Sequence, residues 1–411
     1  MLFQKLLQKV VRDGSLRLID SRGKIYDYGD GSGRRCTIRL HNRLLEWKLV
    51  LNPPLYLGEA YMNGEATLDE GSLRDFIELL ARNYHHLEND GLVKFGFALG
   101  RHSRRLKQYN PIGKARQNVA HHYDLSGQLY DLFLDADRQY SCAYFRHGDE
   151  SLEQAQADKK KHLAAKLLFD RPGLRLLDIG SGWGGLGLYL AQAGGCDVTG
   201  VTLSTEQHKL SQERARKAGI DDRVRFHLRD YREDDNKYDR IVSVGMFEHV
   251  GKKNYPEFFR KVSDLLEDDG VFVLHSVGRV NEPGPVNPFI RKYIFPGTDV
   301  PTLGEVLPAI EDAMLIVTDV EVLRLHYADT LRIWEERFQA NRAKIAELYD
   351  ERFCRMWETY LVGCEMGFRH QGLMVFQVQI AKKMDIVPLT RDYIYEWENK
   401  RGHDAAIQAA E

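Results

Sequence analysis

Four glycines within six positions are the residues of this chain whose spacing most clearly suits a bound ligand. Gly180, Gly182, Gly184 and Gly185 follow a buried apolar run, Leu174–Ile179, and precede a stretch with helical patterning. A glycine-dense turn between a strand and a helix lets backbone N–H groups approach a ligand closely. The spacing of Gly180, Gly182 and Gly185 even satisfies the G-x-G-x-x-G pattern of dinucleotide binding.

The end of the second predicted strand discriminates between ligands. A dinucleotide fold places a carboxylate about 20 positions on, where it binds the ribose hydroxyls. Here the strand ends in Val201-Thr202-Leu203-Ser204, and the first carboxylate after it is Glu206. The acid–Gly–x–Gly form that begins at Asp178 instead resembles the first motif of S-adenosylmethionine-dependent methyltransferases. It favours that cofactor over NAD, and over glycines that merely shape a tight turn.

Further polar residues stand where strands are predicted to end, which is where open α/β sheets bind ligands. They are Glu248 after strand 238–244, His275 in strand 270–276, and Cys142, Tyr327 and Cys364 in motifs outside these strands. Each has a structural alternative. A buried cysteine is usually a small apolar residue, Glu248 could interact with a helix dipole, and His275 could be a core histidine.

These residues need a scaffold, and the chain supplies alternating strands and helices from about residue 111 onward. The predicted strands are 174–179, 197–202, 223–228, 238–244, 270–276, Val317–Leu325 and Leu373–Ala381. The predicted helices are Leu152–Phe169, which a Ser151/Gln154 capping box starts, then 183–193, 206–218, 255–267, Glu305–Met314, Thr330–Leu348 and Glu351–Phe368. This alternation predicts a mostly parallel sheet.

The first 110 residues form a separate predicted unit. It contains two short strand-like runs, Cys36–Leu40 and Leu45–Leu51, and a helix, Leu73–Leu87, with one apolar face. The stretch Arg101–Arg116 carries six basic residues and no acid. Its charge indicates either a solvated linker or a patch that binds anionic lipid headgroups. A nucleic-acid site is a weaker interpretation. Five prolines mark segment 279–301 as a lid or insertion.

Composition limits the class of protein. The chain has 411 residues and a net charge of −2. It therefore has no overall positive charge that would attract nucleic acid. Its five cysteines are scattered, without a CxxC pair, so we expect a reducing compartment and no structural metal. No leader-like apolar region and no run of 18 apolar residues occurs, so we expect a cytoplasmic protein without a membrane-spanning helix.

Eight ordered motifs together resemble the cyclopropane-fatty-acyl-phospholipid synthases and the related mycolic acid cyclopropane synthases. They are HHYDLS (His121–Ser126), YSCAYF (Tyr140–Phe145), LLDIGSGWGG, TLSTEQ (Thr202–Gln207), MFEHVG (Met246–Gly251), LHSVG, HYADTLRIW and GCEMGFR. The resemblance covers about residues 118–385. Weaker patterning relates the first 110 residues to the amino-terminal domain of the phospholipid-acting bacterial members.

The resemblance implies a fold and a domain organisation. We expect a Rossmann-like class I methyltransferase fold with a mostly parallel seven-stranded sheet, and a smaller α+β amino-terminal domain. Residues 1–110 would be a lipid-binding or accessory domain, and residues 111–411 the catalytic domain.

The resemblance also implies site residues. The methyl donor would be held by Tyr140, Ser141, Asp178, Gly180, Gly182, Gly184, Thr202, Leu203, Gln207, Asp230 and Tyr231. A bicarbonate ion, the base that removes a proton from the transferred methyl group, would be bound by Glu248, His275, Tyr327 and the backbones of Cys142 and Cys364. Aromatic rings nearby could face the intermediate carbocation.

The predicted function is therefore transfer of a methylene group from S-adenosylmethionine to the cis double bond of an acyl chain in a membrane phospholipid. The enzyme would act at an anionic membrane surface, on the inner leaflet of the cytoplasmic membrane, through the first domain, stretch 101–116 and segment 279–301. A homodimer is left open. The alternatives are a fatty acyl methyltransferase with a branched or methylene product, a small-molecule amine N-methyltransferase, and a non-catalytic lipid-binding module with a relic site.

Overall fold

A computed structural model describes residues 2–88, 125–280 and 282–400, arranged as two compact units. The first unit comprises Met1–Leu106, Gly284–Pro296 and Leu331–Leu373, and the second comprises Lys107–Pro283, Gly297–Thr330 and Met374–Glu411. The basic stretch 101–116 and the domain boundary near residue 110 lie outside the described residues, so both stay predictions.

The described helices and strands are numbered along the chain. The helices are α1 Leu2–Val10, α2 Leu45–Leu51, α3 Pro53–Met62, α4 Leu73–Arg82, α5 His85–Glu88, α6 Gly127–Asp131, α7 Leu152–Leu167, α8 Gly185–Gly194, α9 Thr205–Lys217, α10 Tyr255–Leu265, α11 Pro288–Tyr293, α12 Leu303–Glu311, α13 His326–Ala340, α14 Arg342–Leu348, α15 Glu351–His370 and α16 Asp392–Asn399. The strands are β1 Ser15–Ile19, β2 Ile25–Tyr28, β3 Arg35–Leu40, β4 Ala66–Glu70, β5 Arg175–Ile179, β6 Asp197–Thr202, β7 Val224–Leu228, β8 Tyr238–Val244, β9 Leu266–Arg279, β10 Ile316–Val322 and β11 Leu373–Ala381.

The second unit is built on a seven-stranded sheet with the strand order β10-β11-β9-β8-β5-β6-β7. The pairs β5–β6, β5–β8, β6–β7 and β8–β9 are parallel, and β10–β11 is antiparallel. Apolar residues of β5, β8 and β9 are buried on both faces, as is usual where helices cover a parallel sheet. The predicted α/β fold with a mostly parallel sheet is confirmed.

The parallel pairing brings the carboxyl ends of neighbouring strands together. In β8 and β9, Val244 lies opposite His275, and in β5 and β6, Ile179 lies opposite Val201. The glycine turn therefore leaves the sheet at the same edge as the segment that follows β8. That edge is where the sequence predicted the chemistry.

The first unit contains a smaller four-stranded sheet, ordered β2-β1-β3-β4. Strands β1 and β3 are parallel, and each pairs antiparallel with an outer strand. Helix α4 begins with a capping box between Ser72 and Asp75. It ends at Arg82, and the side chain of the following Asn83 accepts hydrogen bonds from the N–H groups of Arg12 and Asp13. The single predicted helix Leu73–Leu87 is thus two helices.

The strand-like run Leu45–Leu51 is a helix, so that prediction was wrong. Leu45 and Leu49 are both buried at 1% exposure, and they lie four residues apart on one helical face. A run of only seven residues can fit both the two-residue period of a strand and the 3.6-residue period of a helix, so the sequence pattern does not separate the two structures. The hydrophobic contacts of Leu45 and Leu49 with the small sheet decide for the helix.

Segment 279–301 leaves the sheet of the second unit and returns to the same point. The N–H of Arg279 donates to the carbonyl of Pro301 at 2.9 Å. Residues 284–296 between them, including α11, belong to the first unit. Across the described ranges, no helix is both long enough and apolar enough to cross a bilayer.

Candidate active site

A cavity opens in the second unit at the carboxyl edge of β5, β6 and β8. Ten of the eleven residues predicted to hold the methyl donor line it: Tyr140, Ser141, Asp178, Gly180, Gly182, Thr202, Leu203, Gln207, Asp230 and Tyr231. Gly184 is not among the lining residues. A Cβ there would lie 2.7 Å from the Phe226 ring and 2.8 Å from Ser211, so Gly184 is needed for packing behind the turn.

The backbone of the glycine turn is shaped for close approach. Gly180 and Gly182 have φ values of +84° and +55°, in the left-handed region that favours glycine. A Cβ on Gly180 would lie 2.8 Å from the Met246 Cβ. A Cβ on Gly182 would meet nothing within 4 Å and would project into open space. The turn therefore presents bare backbone to the cavity.

Two buried polar atoms of this turn have no hydrogen-bond partner in the part of the chain that the structure describes, namely Asp178 Oδ2 and Ser181 Oγ. Burial raises the pKa of Asp178 to about 7. Buried polar groups normally form hydrogen bonds, because a buried group without one destabilises the folded protein by about 1–3 kcal/mol. Asp178 and Ser181 are both among the residues that line the cavity, and their polar side chains fit the charged methionine end of S-adenosylmethionine.

Lys159 is a site residue that sequence analysis missed. Its buried ammonium donates to Gln139 Oε1 at 2.6 Å and to Ser141 Oγ at 2.8 Å. Burial lowers its pKa to about 8. Gln156, one turn earlier on α7, donates to the carbonyls of Gln139 and Ser141. Helix α7 thus holds the loop that carries Tyr140 and Ser141 against the cavity.

The opposite wall is formed by residues that bond to one another. The Thr202 hydroxyl donates to Gln207 Oε1 at 3.0 Å. Asp230 is buried, and its two carboxylate oxygens accept from the Arg232 guanidinium at 2.9 and 2.8 Å. Arg232 was not among the predicted site residues. Tyr231 packs edge-on against Phe258, with ring centroids 5.4 Å apart.

Glu248 follows β8, and His275 lies in the adjacent strand β9, opposite the last residue of β8. Glu248 Oε1 accepts from the N–H of Val277 at 2.6 Å, and its carbonyl accepts from the N–H of Asp299 at 2.8 Å. Among the described residues, Glu248 Oε2 is buried without a hydrogen-bond partner. Burial raises the pKa of Glu248 to about 7. The N–H of Val277 thus anchors one of the two carboxylate oxygens.

His275 is neutral. Burial lowers its pKa to about 3, and its Nδ1 lies 3.1 Å from Nε2 of Gln377. An amide nitrogen only donates, so His275 Nδ1 accepts, and we assign the ring proton to Nε2. His275 therefore offers an N–H donor from its far side. Gln377 was not predicted as a site residue. Its position inside the apolar strand Leu373–Ala381 is the sequence feature that could have indicated it.

Cys142 and Tyr327 lie on segments of the second unit that are tied together. The N–H of Ala143 donates to the Thr330 hydroxyl at 3.1 Å, and the N–H of Phe145 donates to His326 Nδ1 at 3.0 Å. Tyr144 stacks on His326 at 5.1 Å and on His162 at 4.2 Å. The loop that contains Cys142 is thereby anchored to the start of α13, next to Tyr327.

Cys364 lies on α15, in the part of the chain assigned to the first unit. Burial raises the pKa of its thiol to about 12. Its neighbour Glu365 is 1% exposed and pairs with Arg369 at 2.9 Å and with Arg74. The motif around Cys364 thus includes a buried ion pair that stabilises the first unit.

Comparison with known proteins identifies the family of this chain. Residues 112–378 match the family model described as mycolic acid cyclopropane synthetase, and residues 2–90 match a domain of unknown function, DUF7884. The chain belongs to the mycolic acid cyclopropane synthetase family. It is an S-adenosylmethionine-dependent methyltransferase, and the alternatives of a dinucleotide site and of a simple turn are set aside.

Curated relatives of the family include two that span most of this chain. The cyclopropane-fatty-acyl-phospholipid synthase of Escherichia coli K12 is 39% identical over 350 residues, which is 85% of this chain and 88% of that protein. The tuberculostearic acid methyltransferase UfaA1 of Mycobacterium tuberculosis is 34% identical over 402 residues, which is 92% and 90% of the two chains.

Solved structures of the family share the fold. The cyclopropane synthase MmaA2 from Mycobacterium tuberculosis matches with a TM-score of 0.62 at 33% identity, over 66% of this chain and 99% of that one. The mycolic acid cyclopropane synthase CmaA1, complexed with SAH and CTAB, also has a TM-score of 0.62, at 34% identity over 66% and 99%. Coclaurine N-methyltransferase, at 22% identity, shares the fold alone.

Proposed function

We propose that this chain is a cyclopropane-fatty-acyl-phospholipid synthase. It would transfer a methylene group from S-adenosylmethionine to a cis double bond of an acyl chain in a phospholipid, and release S-adenosylhomocysteine. The extended match to the Escherichia coli enzyme of that name supports the substrate class, because it runs through both units.

The observation that carries the proposal is the buried carboxylate of Glu248, which stands in the chain between Met246 and His249, two residues that line the glycine-turn cavity. A transfer to oxygen or nitrogen needs a base for a proton of the acceptor, whereas an alkene has no such proton. The alkene reaction instead requires a proton to leave the newly added methyl group. A buried carboxylate whose pKa is raised to about 7, and whose Oε1 is held by the N–H of Val277, suits that task.

The donor set also fits a bicarbonate ion, which when bound would supply a base. We propose Glu248, His275 and Tyr327 as its side-chain ligands and the backbone of Cys142 as a further ligand. The backbone of Cys364, which lies inside helix α15 of the first unit, stays a prediction from the family resemblance. His275 would donate from Nε2, and Tyr327 from its hydroxyl. Glu248 would orient the ion through Oε2 while Val277 holds Oε1.

S-adenosylmethionine, when bound, supplies an electrophilic methyl group on a sulfonium. We propose that Tyr140, Ser141 and the backbone at Gly180 and Gly182 bind its methionine part, with Asp178 close by. Thr202, Leu203 and Gln207 would bind the ribose, and Asp230 and Tyr231 would flank the adenine. These positions line one cavity, which supports a shared ligand.

We also propose that the protein works at the inner leaflet of the cytoplasmic membrane as a peripheral protein. Its substrate chains are buried in a bilayer, so the enzyme must dock before it can draw a chain into the site. Anionic headgroups are the expected partner, because an ordinary bacterial inner leaflet is negatively charged.

The test is expression in a host that lacks cyclopropane lipids, followed by lipid mass spectrometry and proton NMR. We expect phospholipids that gain one CH2, lose olefinic protons and show cyclopropyl protons. The similarity to the tuberculostearic acid methyltransferase makes a methyl-branched product the second candidate. Loss of olefinic protons with a new methyl doublet would establish that product instead. Unchanged lipids would refute both.

A further inference from the structure

Helix α2 of the first unit exposes an apolar ridge formed by Leu44, Trp47 and Leu51. These side chains are 66%, 63% and 80% exposed. Leu44 precedes the helix but has helical backbone angles, so the spacing of three and four residues puts all three side chains on one face. On the opposite face, Leu45 and Leu49 are buried in the core of the unit. The helix is thus apolar on both sides.

A helix that already has a buried apolar face gains nothing in solution from a second one. Contiguous exposed apolar surface on a folded protein usually marks a contact with a partner or a membrane. Trp47 suits a membrane interface in particular, because its ring is apolar and its N–H remains able to bond to water or headgroups.

Charges on the neighbouring elements favour a lipid surface. Residue 43, α2, α3 and α11 together carry four cations, Arg43, Lys48, Arg291 and Lys292, against two acids, Glu46 and Glu59. Glu46 is buried. Glu59 is neutralised, since its Oε1 accepts from Lys292 Nζ at 2.7 Å and from the Tyr293 hydroxyl at 2.8 Å. With Lys292 and Glu59 cancelling each other, Arg43, Lys48 and Arg291 remain against the buried Glu46, so these elements carry a net positive charge.

The elements that carry these charges form one body. A Cβ on Gly58 of α3 would lie 2.4 Å from the Phe289 ring of α11, so the two helices pack at closest approach there. Lys48 of α2 lies close enough to lower the pKa of Glu59 on α3. Cations and apolar side chains are thus presented by a single rigid part of the first unit.

We infer that the ridge Leu44–Trp47–Leu51 inserts into the headgroup and upper acyl region of an anionic bilayer, with the flanking cations on the phosphates. The inference rests on the proposed function and adds to it the surface by which the enzyme meets its lipid. A second copy of this chain is a poorer partner, because a two-fold contact through this ridge would bring the same cations face to face.

The experiment measures binding to sucrose-loaded vesicles of dioleoyl phosphatidylglycerol and phosphatidylethanolamine by sedimentation. We expect the variant L44S/L51S to partition at least about tenfold more weakly than wild type, because several buried methylene groups are lost. The matched control is L389S, which changes a fully exposed leucine of the second unit, and it should bind like wild type. Unchanged circular dichroism would confirm that both variants are folded.

Tryptophan fluorescence gives an independent readout. Of the five tryptophans, Trp183, Trp334 and Trp357 are buried and Trp397 is half-buried, which leaves Trp47 as the exposed one. Vesicles with brominated acyl chains should quench wild type and should not quench W47F, which keeps an aromatic ring. Equal vesicle binding by wild type and L44S/L51S, or quenching that persists in W47F, would overturn the inference.

Two further measurements separate this inference from its rival and from the proposed function. Sedimentation velocity of L44S/L51S should match wild type, and a change in association state with unchanged vesicle binding would assign the ridge to a second copy. If wild type converts no lipid but still binds vesicles through the ridge, the proposed function alone fails. If wild type and L44S/L51S bind vesicles equally and convert their lipid equally, the inference about the ridge fails while the proposed function stands.

Discussion

Gly182 combines an unusual backbone conformation with an open position on the cavity side. Its φ of +55° is disfavoured for other residues, and any Cβ would enter space that no protein atom occupies. We therefore expect G182V to abolish S-adenosylmethionine binding, measured by calorimetry. The matched control is G195V, since Gly195 has φ +60° and open space but does not line the cavity. It should lose comparable stability yet retain affinity. Wild-type affinity in a folded G182V protein would contradict the site.

Glu248 should make the stability of the protein depend on pH. Its pKa is raised to about 7 from 4.5, so its contribution to stability is present below about pH 4.5 and is lost as the pH rises through 7. E248Q removes this penalty. We expect the variant to be more stable than wild type by up to about 3 kcal/mol at pH 8, and by almost nothing at pH 4.5. Denaturant unfolding at both pH values checks this.

The same substitution should impair the reaction. E248Q keeps the size and the acceptor for Val277 but removes the basic oxygen, so we expect turnover to fall about 10²–10⁴-fold. Affinity for S-adenosylmethionine should stay within a few fold. A second substitution, H275A, should add far less than its separate effect, because both residues act on one step. Additive losses would indicate that Glu248 and His275 have only structural roles.

At the scale of elements, the contact between loop 140–145 and α13 deserves a direct test. H326F removes the acceptor of the Phe145 N–H, and we expect it to cost about 1–3 kcal/mol at neutral pH. H326N is the control, because its Oδ1 can accept that bond. Burial lowers the pKa of His326, so the advantage of wild type is present above about pH 6.5 and shrinks as the pH falls through the lowered pKa. Thermal unfolding against pH measures it, and a constant difference would contradict the role.

The elements around the cavity were predictable because their signals are local. The strand β5, the glycine turn and α8 are consecutive, and the parallel sheet follows from the repeated alternation of elements. Glu248 and His275 could be assigned to the same edge of the sheet, because β8 and β9 are parallel neighbours. Lys159 and Gln377 could not be found this way. Each lies inside an element whose buried face is decided by residues far away in sequence, and α7 buries most of its circumference.

The wrong assignment of Leu45–Leu51 has the same origin. Seven residues are too few to separate a period of 2 from one of 3.6, and the contacts that choose the helix come from the small sheet. The sequence also could not predict that the later segments belong to the first unit, because no local pattern indicates that a helix at residue 351 packs with residues before 90.

At the scale of the whole molecule, the first unit depends on residues distant in sequence. The Tyr61 hydroxyl on α3 donates to Glu358 at 2.9 Å, and Arg74 on α4 pairs with Glu335 at 2.6 Å and with the buried Glu365. We therefore expect a fragment of residues 1–90 to lack a cooperative thermal transition and to bind a hydrophobic dye. Circular dichroism and dye fluorescence, with the full chain as control, test this. A cooperative native-like melt of the fragment would show that α15 is dispensable.

This division of the first unit among three segments also bears on how the protein is made. Residues 1–88 leave the ribosome more than 240 residues before residue 331, where the longest of the later segments begins. At about 5–20 residues per second, the faces of α3 and α4 stay uncovered for roughly 12–50 s during each round of translation. The catalytic sheet is itself completed only by β10 and β11, late in the chain. Nascent chains should therefore need a chaperone for nearly their whole synthesis, and yield should respond to the rate of translation.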